Sequence, residues 1–316
     1  MENRRDKSSF NKVFNIGLPL QTNRNEFYDF ISSYKEYIHS IYFSLPLGDR
    51  FHTREIICNQ FKNEETINLF WDLLKMVQEA GIKLELLFNT YHLTDNDFIV
   101  SQEMIQRYNI HIDFVALLDS YYNKVKELFP AATYVYSFNN FYNFKSSDTI
   151  NKIVENYDYC VLGRSHIRNN DLFKMLSSNG VNVVLLLNNG CSFNCLTCRK
   201  SNLCNAVFLN NLKEYDINYL YALQSVMPFE LHNGIINKNF VKLYKIASRS
   251  GDIDYLKKCM DSYINNRTFD YINESPQNYL LWCRLRHIGA FADNLDIKEI
   301  LANKESIIGR PIGVIK

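Results

Sequence analysis

The sequence predicts an α/β fold, a (β/α)8 TIM-like barrel with a C-terminal helical extension. Eight short apolar runs recur along its 316 residues, and segments with helical spacing lie between them. Several of the runs are apolar without interruption, as parallel strands buried on both faces should be. A doubly wound open sheet has the same alternation, but the regular order favours a barrel.

The elements follow in order. Val13–Gly17 and Ile41–Leu45 are the first two candidate strands. Thr66–Ala80 is a helix, with Ile67, Leu69, Phe70, Leu73, Leu74 and Val77 on one side. Lys83–Asn89, His111–Leu118, Thr133–Phe138 and Tyr157–Leu162 are the next four strands. Asp171–Asn179 is a helix with Asn169 or Asn170 as N-cap and Gly180 as the residue that ends it. Val181–Leu187 and Lys242–Ala247 complete the eight strands. Beyond Ile264 the pattern is helical, as in Tyr279–Gly289 with Leu280, Leu281, Trp282, Leu285 and Ile288. The expected organisation is a polar N-terminal tail over 1–12, a barrel over 13–265, and a helical extension over 266–316 packed on it.

Composition narrows the class. Apolar residues at 47% and charged residues at 22% are ordinary for a globular protein, and a net charge of +1 gives no global attraction for nucleic acid or membrane. The polar start, Met1 to Ser9, leads into no signal-peptide h-region, and no apolar run approaches the length of a membrane span. A cytoplasmic location with reduced cysteines is expected.

Four cysteines then stand out: Cys191, Cys195, Cys198 and Cys204, spaced C-x3-C-x2-C-x5-C, directly after the seventh strand. Barrel enzymes carry their chemistry at the C-terminal ends of strands, and Cys191 lies four residues beyond Leu187 on that side. The stretch from Asn188 to about Pro228 is long for a β/α connection, which favours a functional loop. Soft thiolates so closely spaced suit a 4Fe–4S cluster. Structural zinc is a second reading, although the usual second C-x2-C pair is missing. Inert thiols are a third. The first three cysteines also match the C-x3-C-x2-C spacing of radical S-adenosylmethionine enzymes. Against that stand Thr197, where an aromatic is typical, the late position in the chain, and a fourth nearby thiol. Cys58, Cys160, Cys259 and Cys283 are assigned to packing.

Other candidates line the same face. Arg164 and Arg249 end the sixth and eighth strands and suit a carboxylate or phosphate held bidentately. Capping or pairing with local carboxylates is the plain alternative. His166 is a candidate acid or base, and the plain reading is a loop donor. Asn89, Ser137 and Asn139 could orient a substrate by hydrogen bonds or serve only as turn residues. His232, with Glu230 beside it, could line the site from the loop before the last strand. Lys245 sits inside the last strand, where it either enters the lumen or snorkels outward. Tyr134, Tyr136 and Phe138 alternate onto one face, which is more simply packing than base stacking. Without an interleaved basic patch, nucleic-acid binding stays an unsupported possibility.

The order of motifs resembles the peptidase U32 family, the collagenase-like peptidases and their non-peptidase relatives. The residues that carry the likeness are Ile41-Tyr-Phe-Ser-Leu45, Leu86-Leu-Phe-Asn-Thr90, Cys160-Val-Leu-Gly-Arg164, Leu186-Leu-Asn-Asn-Gly-Cys191 with Cys195, and Tyr244-Lys-Ile-Ala-Ser-Arg249. The likeness spans roughly residues 13 to 265. Asn189 stands where an acidic residue is common, and Ser248 replaces a glycine. The tight cysteine run also departs from relatives whose cluster ligands are more scattered. The resemblance implies a barrel, a 4Fe–4S cluster and oxygen-independent redox chemistry, such as hydroxylation of a quinone precursor or an RNA base. Arg164 and Arg249 add the expectation of an anionic small-molecule substrate or co-substrate, and the redox chemistry that of an electron donor as partner. Peptidase activity is not expected, because the chain offers no Ser–His–Asp triad and no zinc-protease helix.

Overall fold

The structure is a computed structural model that describes residues 10–47, 61, 63–140, 144, 146–163, 166–187, 226, 228–246 and 253–266. Eight parallel strands close into a barrel in sequence order, β1 to β8. They are β1 Phe14–Gly17, β2 Ile38–Phe43, β3 Lys83–Phe88, β4 Phe114–Leu117, β5 Thr133–Tyr136, β6 Tyr159–Leu162, β7 Asn182–Leu186 and β8 Val241–Ile246. All eight expected runs contain a strand. Two bounds differ. β2 begins three residues earlier than its apolar run, and β4 begins at Phe114, with Ile110 and Ile112 buried ahead of it.

The described helices are α1 Arg24–Tyr34, α2 Glu64–Glu79, α3 Asp95–Arg107, α4 Tyr122–Leu128, α5 Ser147–Asn156, α6 Asn170–Ser178, α7 Pro228–His232 and α8 Ile253–Asn265. Their ends follow local chemistry. Asn23 caps α1 and forms a reciprocal capping box with Glu26. Asn169, not Asn170, caps α6 by accepting from the Leu172 backbone N–H at 3.0 Å. Gly180 leaves α6 at φ +84°, a left-handed conformation that a side chain would strain.

Each strand buries two faces. The outward residues, among them Phe14, Ile16, Phe43, Leu86, Phe88, Leu117, Leu162 and Leu185, pack under the helices in one continuous core. Tyr134 and Tyr136 belong to this outer layer, meeting Tyr122 and Tyr157 edge-on, so packing accounts for these two residues of the aromatic stripe. Burying each such side chain contributes about 1.5–3 kcal/mol before entropy is counted. The inward residues form a second, smaller cluster around Tyr42, Leu87, Phe114, Ala116, Val135, Val161, Val184, Leu186 and Leu243.

Two features bear on the expected organisation. Phe10, within the stretch read as a polar tail, is buried and stacks on Phe14. The chain also leaves β7 and returns to the same point. The Val226 backbone N–H donates to the Leu187 carbonyl at 2.7 Å, and the Tyr263 hydroxyl of α8 donates to the Val226 carbonyl at 2.8 Å. Residues 188–225 therefore begin and end at one hydrogen-bonded neck. Among the described residues, no helix is long and apolar enough to cross a membrane. The helix expected at Tyr279–Gly289 lies outside the described residues.

Candidate functional site

Strand register decides which residues enter the lumen. Asn15 on β1 is partnered with Ser40 on β2 and with Lys245 on β8. Tyr42 is partnered with Glu85, Glu85 with Phe114, and Leu186 with Lys245. These residues share the inward phase, and the polar ones among them bond to each other.

The centre of the network is Glu85. Its Oε1 accepts from Lys245 Nζ at 2.5 Å, and its Oε2 accepts from Asn15 Nδ2 at 2.9 Å. Asn15 Nδ2 also donates to Ser40 Oγ at 2.7 Å. The carboxylate forces this amide orientation, because a flipped amide would set oxygen against oxygen. The orientation it imposes leaves Asn15 Oδ1 buried without a hydrogen-bond partner. Lys245 Nζ also lies 3.9 Å from the ring centroid of Tyr42, a cation–π contact. The Tyr42 hydroxyl donates to the Ile246 carbonyl at 2.9 Å, reaching the C-terminal end of β8.

At the N-terminal end of the lumen a register shift between Phe14 and Asn15 gives β2 an extra residue, His39. Its ring lies 5.5 Å from that of Phe114, and its Nδ1 is 3.1 Å from Ser40 Oγ. Burial, then the charges of Lys83, Lys242 and Lys12, push its pKa down to about 4. The ring is neutral at pH 7. Ser40 already accepts from Asn15, so its own proton suits His39 Nδ1, which puts the ring proton on Nε2.

At the C-terminal mouth, three expected substrate-binding residues come together. Asn89 and Ser137 continue the inward phase of β3 and β5. Asn139 joins them: its Nδ2 donates to the Asn89 carbonyl at 2.9 Å, and its backbone N–H donates to Ser137 Oγ at 3.3 Å. The surrounding rim is tied strand to strand. The Tyr91 hydroxyl donates to the Asn139 carbonyl at 2.5 Å, the Tyr121 hydroxyl to the Thr90 carbonyl at 2.9 Å, and the Asp119 N–H to Asn140 Oδ1 at 2.7 Å. Such cross-ties hold the loops after β3, β4 and β5 as one rigid edge.

The other candidates lie apart from that edge. His166 sits on the turn after β6, half-buried against Phe144 with ring centroids 4.9 Å apart, and burial lowers its pKa. His232 is on α7, where Nε2 is 2.7 Å from the Tyr263 carbonyl and the ring is 5.3 Å from that of Phe10. That position is in the outer layer beside β1 and β8, not over the lumen. Glu230, also on α7, is fully buried and takes Arg168 bidentately, Nε to Oε1 at 2.6 Å and Nη2 to Oε2 at 2.8 Å. The pair ties the turn after β6 to the return path from residue 226. Cys160 and Cys259 are buried thiols outside any disulfide, and burial pushes the Cys160 pKa up, as expected of packing cysteines. Cys191, Cys195, Cys198, Cys204, Arg164 and Arg249 lie outside the described residues.

Sequence reasoning missed Glu85, Asn15, Ser40 and Tyr42, and it left Lys245 between two orientations. Their signal is a lone polar residue inside an otherwise apolar strand, as in Lys83-Leu-Glu-Leu-Leu-Phe88.

No protein-family model and no curated protein matches this sequence. Among solved structures, the chain is similar to the U32 peptidase Mk0906 at 12% identity and a TM-score of 0.46, over 76% of this chain and 94% of that one. A mutant tryptophan synthase α-subunit from Pyrococcus furiosus is similar at 10% identity and a TM-score of 0.42, over 88% and 98%. An apo aldo-keto reductase from Bacillus halodurans is similar at 12% identity and a TM-score of 0.37, over 87% and 89%. These likenesses are of chain path alone, and the barrel itself rests on the closed strand order.

Proposed function

We propose that the chain is a U32-like barrel enzyme in which Cys191, Cys195, Cys198 and Cys204 hold a 4Fe–4S cluster beside the C-terminal mouth. The reaction is oxygen-independent redox chemistry, a hydroxylation, on a small anionic molecule or a nucleobase. One observation carries the reading. β7 of a closed barrel ends at Leu186, at the end where barrel enzymes react, and the thiol run begins five residues further along the sequence.

The donor chemistry fits the group. Four soft thiols within residues 191–204 are a complete ligand set for such a cluster. Among the described residues, no group of three or more His, Cys, Asp or Glu side chains could hold a metal. When bound, a cluster of this kind passes single electrons, here from an external electron donor.

The chain's own residues divide the remaining work. Arg164 and Arg249 anchor the anionic group of the substrate or co-substrate through paired N–H donors. Asn89, Ser137 and Asn139 orient the reacting part by neutral hydrogen bonds. His166, whose basicity burial lowers, is the candidate acid or base on the turn after β6. A cytoplasmic, reducing setting suits thiolates in this role.

Anaerobic purification followed by iron and sulfide determination tests the reading. About four irons and four sulfides per chain are expected, with a brown chromophore that bleaches in air. Replacing Cys195 with Ala should abolish most of that iron. A colourless protein with one zinc per chain sinks the proposal. Retained iron–sulfur absorption in Cys204→Ala, with new binding of S-adenosylmethionine, would favour the radical-enzyme chemistry that the first three cysteines suggest.

A further inference from the structure

We propose that Lys245 is the proton-donating residue of this barrel, its ammonium meeting an oxyanion of the substrate from below the C-terminal mouth. Glu85, Asn15 and Ser40 are the positioning residues that hold it there.

The first argument is place. Lys245 is the fifth residue of the six-residue β8 and is register-paired with Leu186, the last residue of β7. Its ammonium lies over Tyr42, whose hydroxyl reaches the Ile246 carbonyl at the end of β8. The amine thus lies in the lumen between Glu85 and the ring of Tyr42.

The second argument is necessity. Lumen residues around the network are aliphatic, among them Leu87, Val135, Val161, Val184 and Leu243. A fold alone is served as well by more of the same, because a buried ion pair gains little over apolar side chains of similar volume. This network goes further and leaves Asn15 Oδ1 buried and unsatisfied in order to turn Asn15 Nδ2 towards Glu85. Buried charge kept at such a cost is a mark of function.

The third argument is direction. Exposure rises along the network, from Asn15 at 0% and Ser40 at 1% to Glu85 at 4% and Lys245 at 9%. Lys245 is the least buried member of the network, and the others support it. Both Glu85 oxygens are engaged by these partners, so the carboxylate is held in place beside the ammonium.

The step is a simple transfer. An N–H bond of the ammonium breaks and an O–H bond forms on the substrate oxygen. The nitrogen keeps the electron pair, and a water at the mouth returns the proton. The substrate class is a small molecule that carries or develops negative charge on oxygen. None of this depends on iron.

Lysine-Nζ 15N-labelled protein tests the proposal, with formate as the smallest carboxylate probe. The Lys245 signal is the one missing from Lys245→Arg, which keeps the charge in the lumen. Formate is expected to shift that signal saturably, and to do so at roughly tenfold lower concentration in Glu85→Gln, where a competing negative charge is gone. A Lys245 signal indifferent to formate in the wild-type protein overturns the proposal, and so does a response unchanged by Glu85→Gln. Iron and sulfide measured on the same preparations report separately on the cluster. Iron-free protein that still responds to formate would remove the cluster reading and leave this one standing.

Discussion

The lumen has two unlike halves. From β4 to β7 it is lined by Phe114, Ala116, Val135, Val161, Val184 and Leu186, and packing alone fills it. From β8 through β1 and β2 to β3 it carries Lys245, Asn15, Ser40, Tyr42 and Glu85, bonded into one network. Both halves belong to the same closed sheet and are buried to a similar degree. The first half shows what closure requires of a strand's inner face, and the second carries charge that closure does not require. A contrast of that kind locates chemistry more sharply than burial does.

The largest expected effect comes from breaking the polar half at one point. Glu85→Ala leaves the Lys245 ammonium buried without its counter-charge, and a loss of about 3–5 kcal/mol is expected in urea unfolding. A loss below about 1 kcal/mol would mean the lumen rehydrates freely and the halves are not as different as they look.

A smaller effect is expected from pH at the floor of the polar half. His39 has a folded pKa of about 4 against 6.5 for the unfolded chain, so the unfolded state takes up the proton first as pH falls. Stability is therefore full above pH 6.5 and falls between pH 6.5 and 4, at up to roughly 1.4 kcal/mol per pH unit. His39→Asn should flatten that part of the curve when unfolding is followed by circular dichroism at each pH. An identical slope in the variant would show that carboxylates elsewhere dominate.

The smallest effect is expected from converting one half into the other. Asn15→Leu, Glu85→Leu and Lys245→Met together should leave stability within about 1 kcal/mol of wild type, or raise it. A large destabilisation of this variant, with good packing confirmed by its near-ultraviolet spectrum, would mark the network as structural.

Much of the barrel was legible because parallel strands covered on both sides appear as unbroken apolar runs, and all eight expected runs hold a strand. The same property hid the lumen. A strand buried on both faces gives no amphipathic alternation, so nothing local says whether Asn15 or Phe14 faces inward. Only the pairing of Asn15 with Lys245 and Ser40, residues far apart in sequence, settles it. Asn89, Ser137 and Asn139 were singled out by position at strand ends, and the structure joins them through Asn139. His232 was placed by its location between β7 and β8, but the short α7 that carries it packs outside, against Phe10 and α8. A helix that precedes a strand enters from the opposite end of the barrel from the loop that follows one, and sequence order does not reveal where the chain turns back.

The neck at Leu187 and Val226 fixes both ends of the chain segment that joins them. With the two ends already bonded, the entropic cost of closing that excursion grows only slowly with its length. With both ends so fixed, a change of length between them is expected to leave the register of β7 and β8 intact. Such a site behaves as a socket, in which the frame is inherited and the insert is free to vary. A short glycine–serine bridge from Leu187 to Val226 should then give a folded barrel stripped of its thiols, a ready scaffold for grafting other loops.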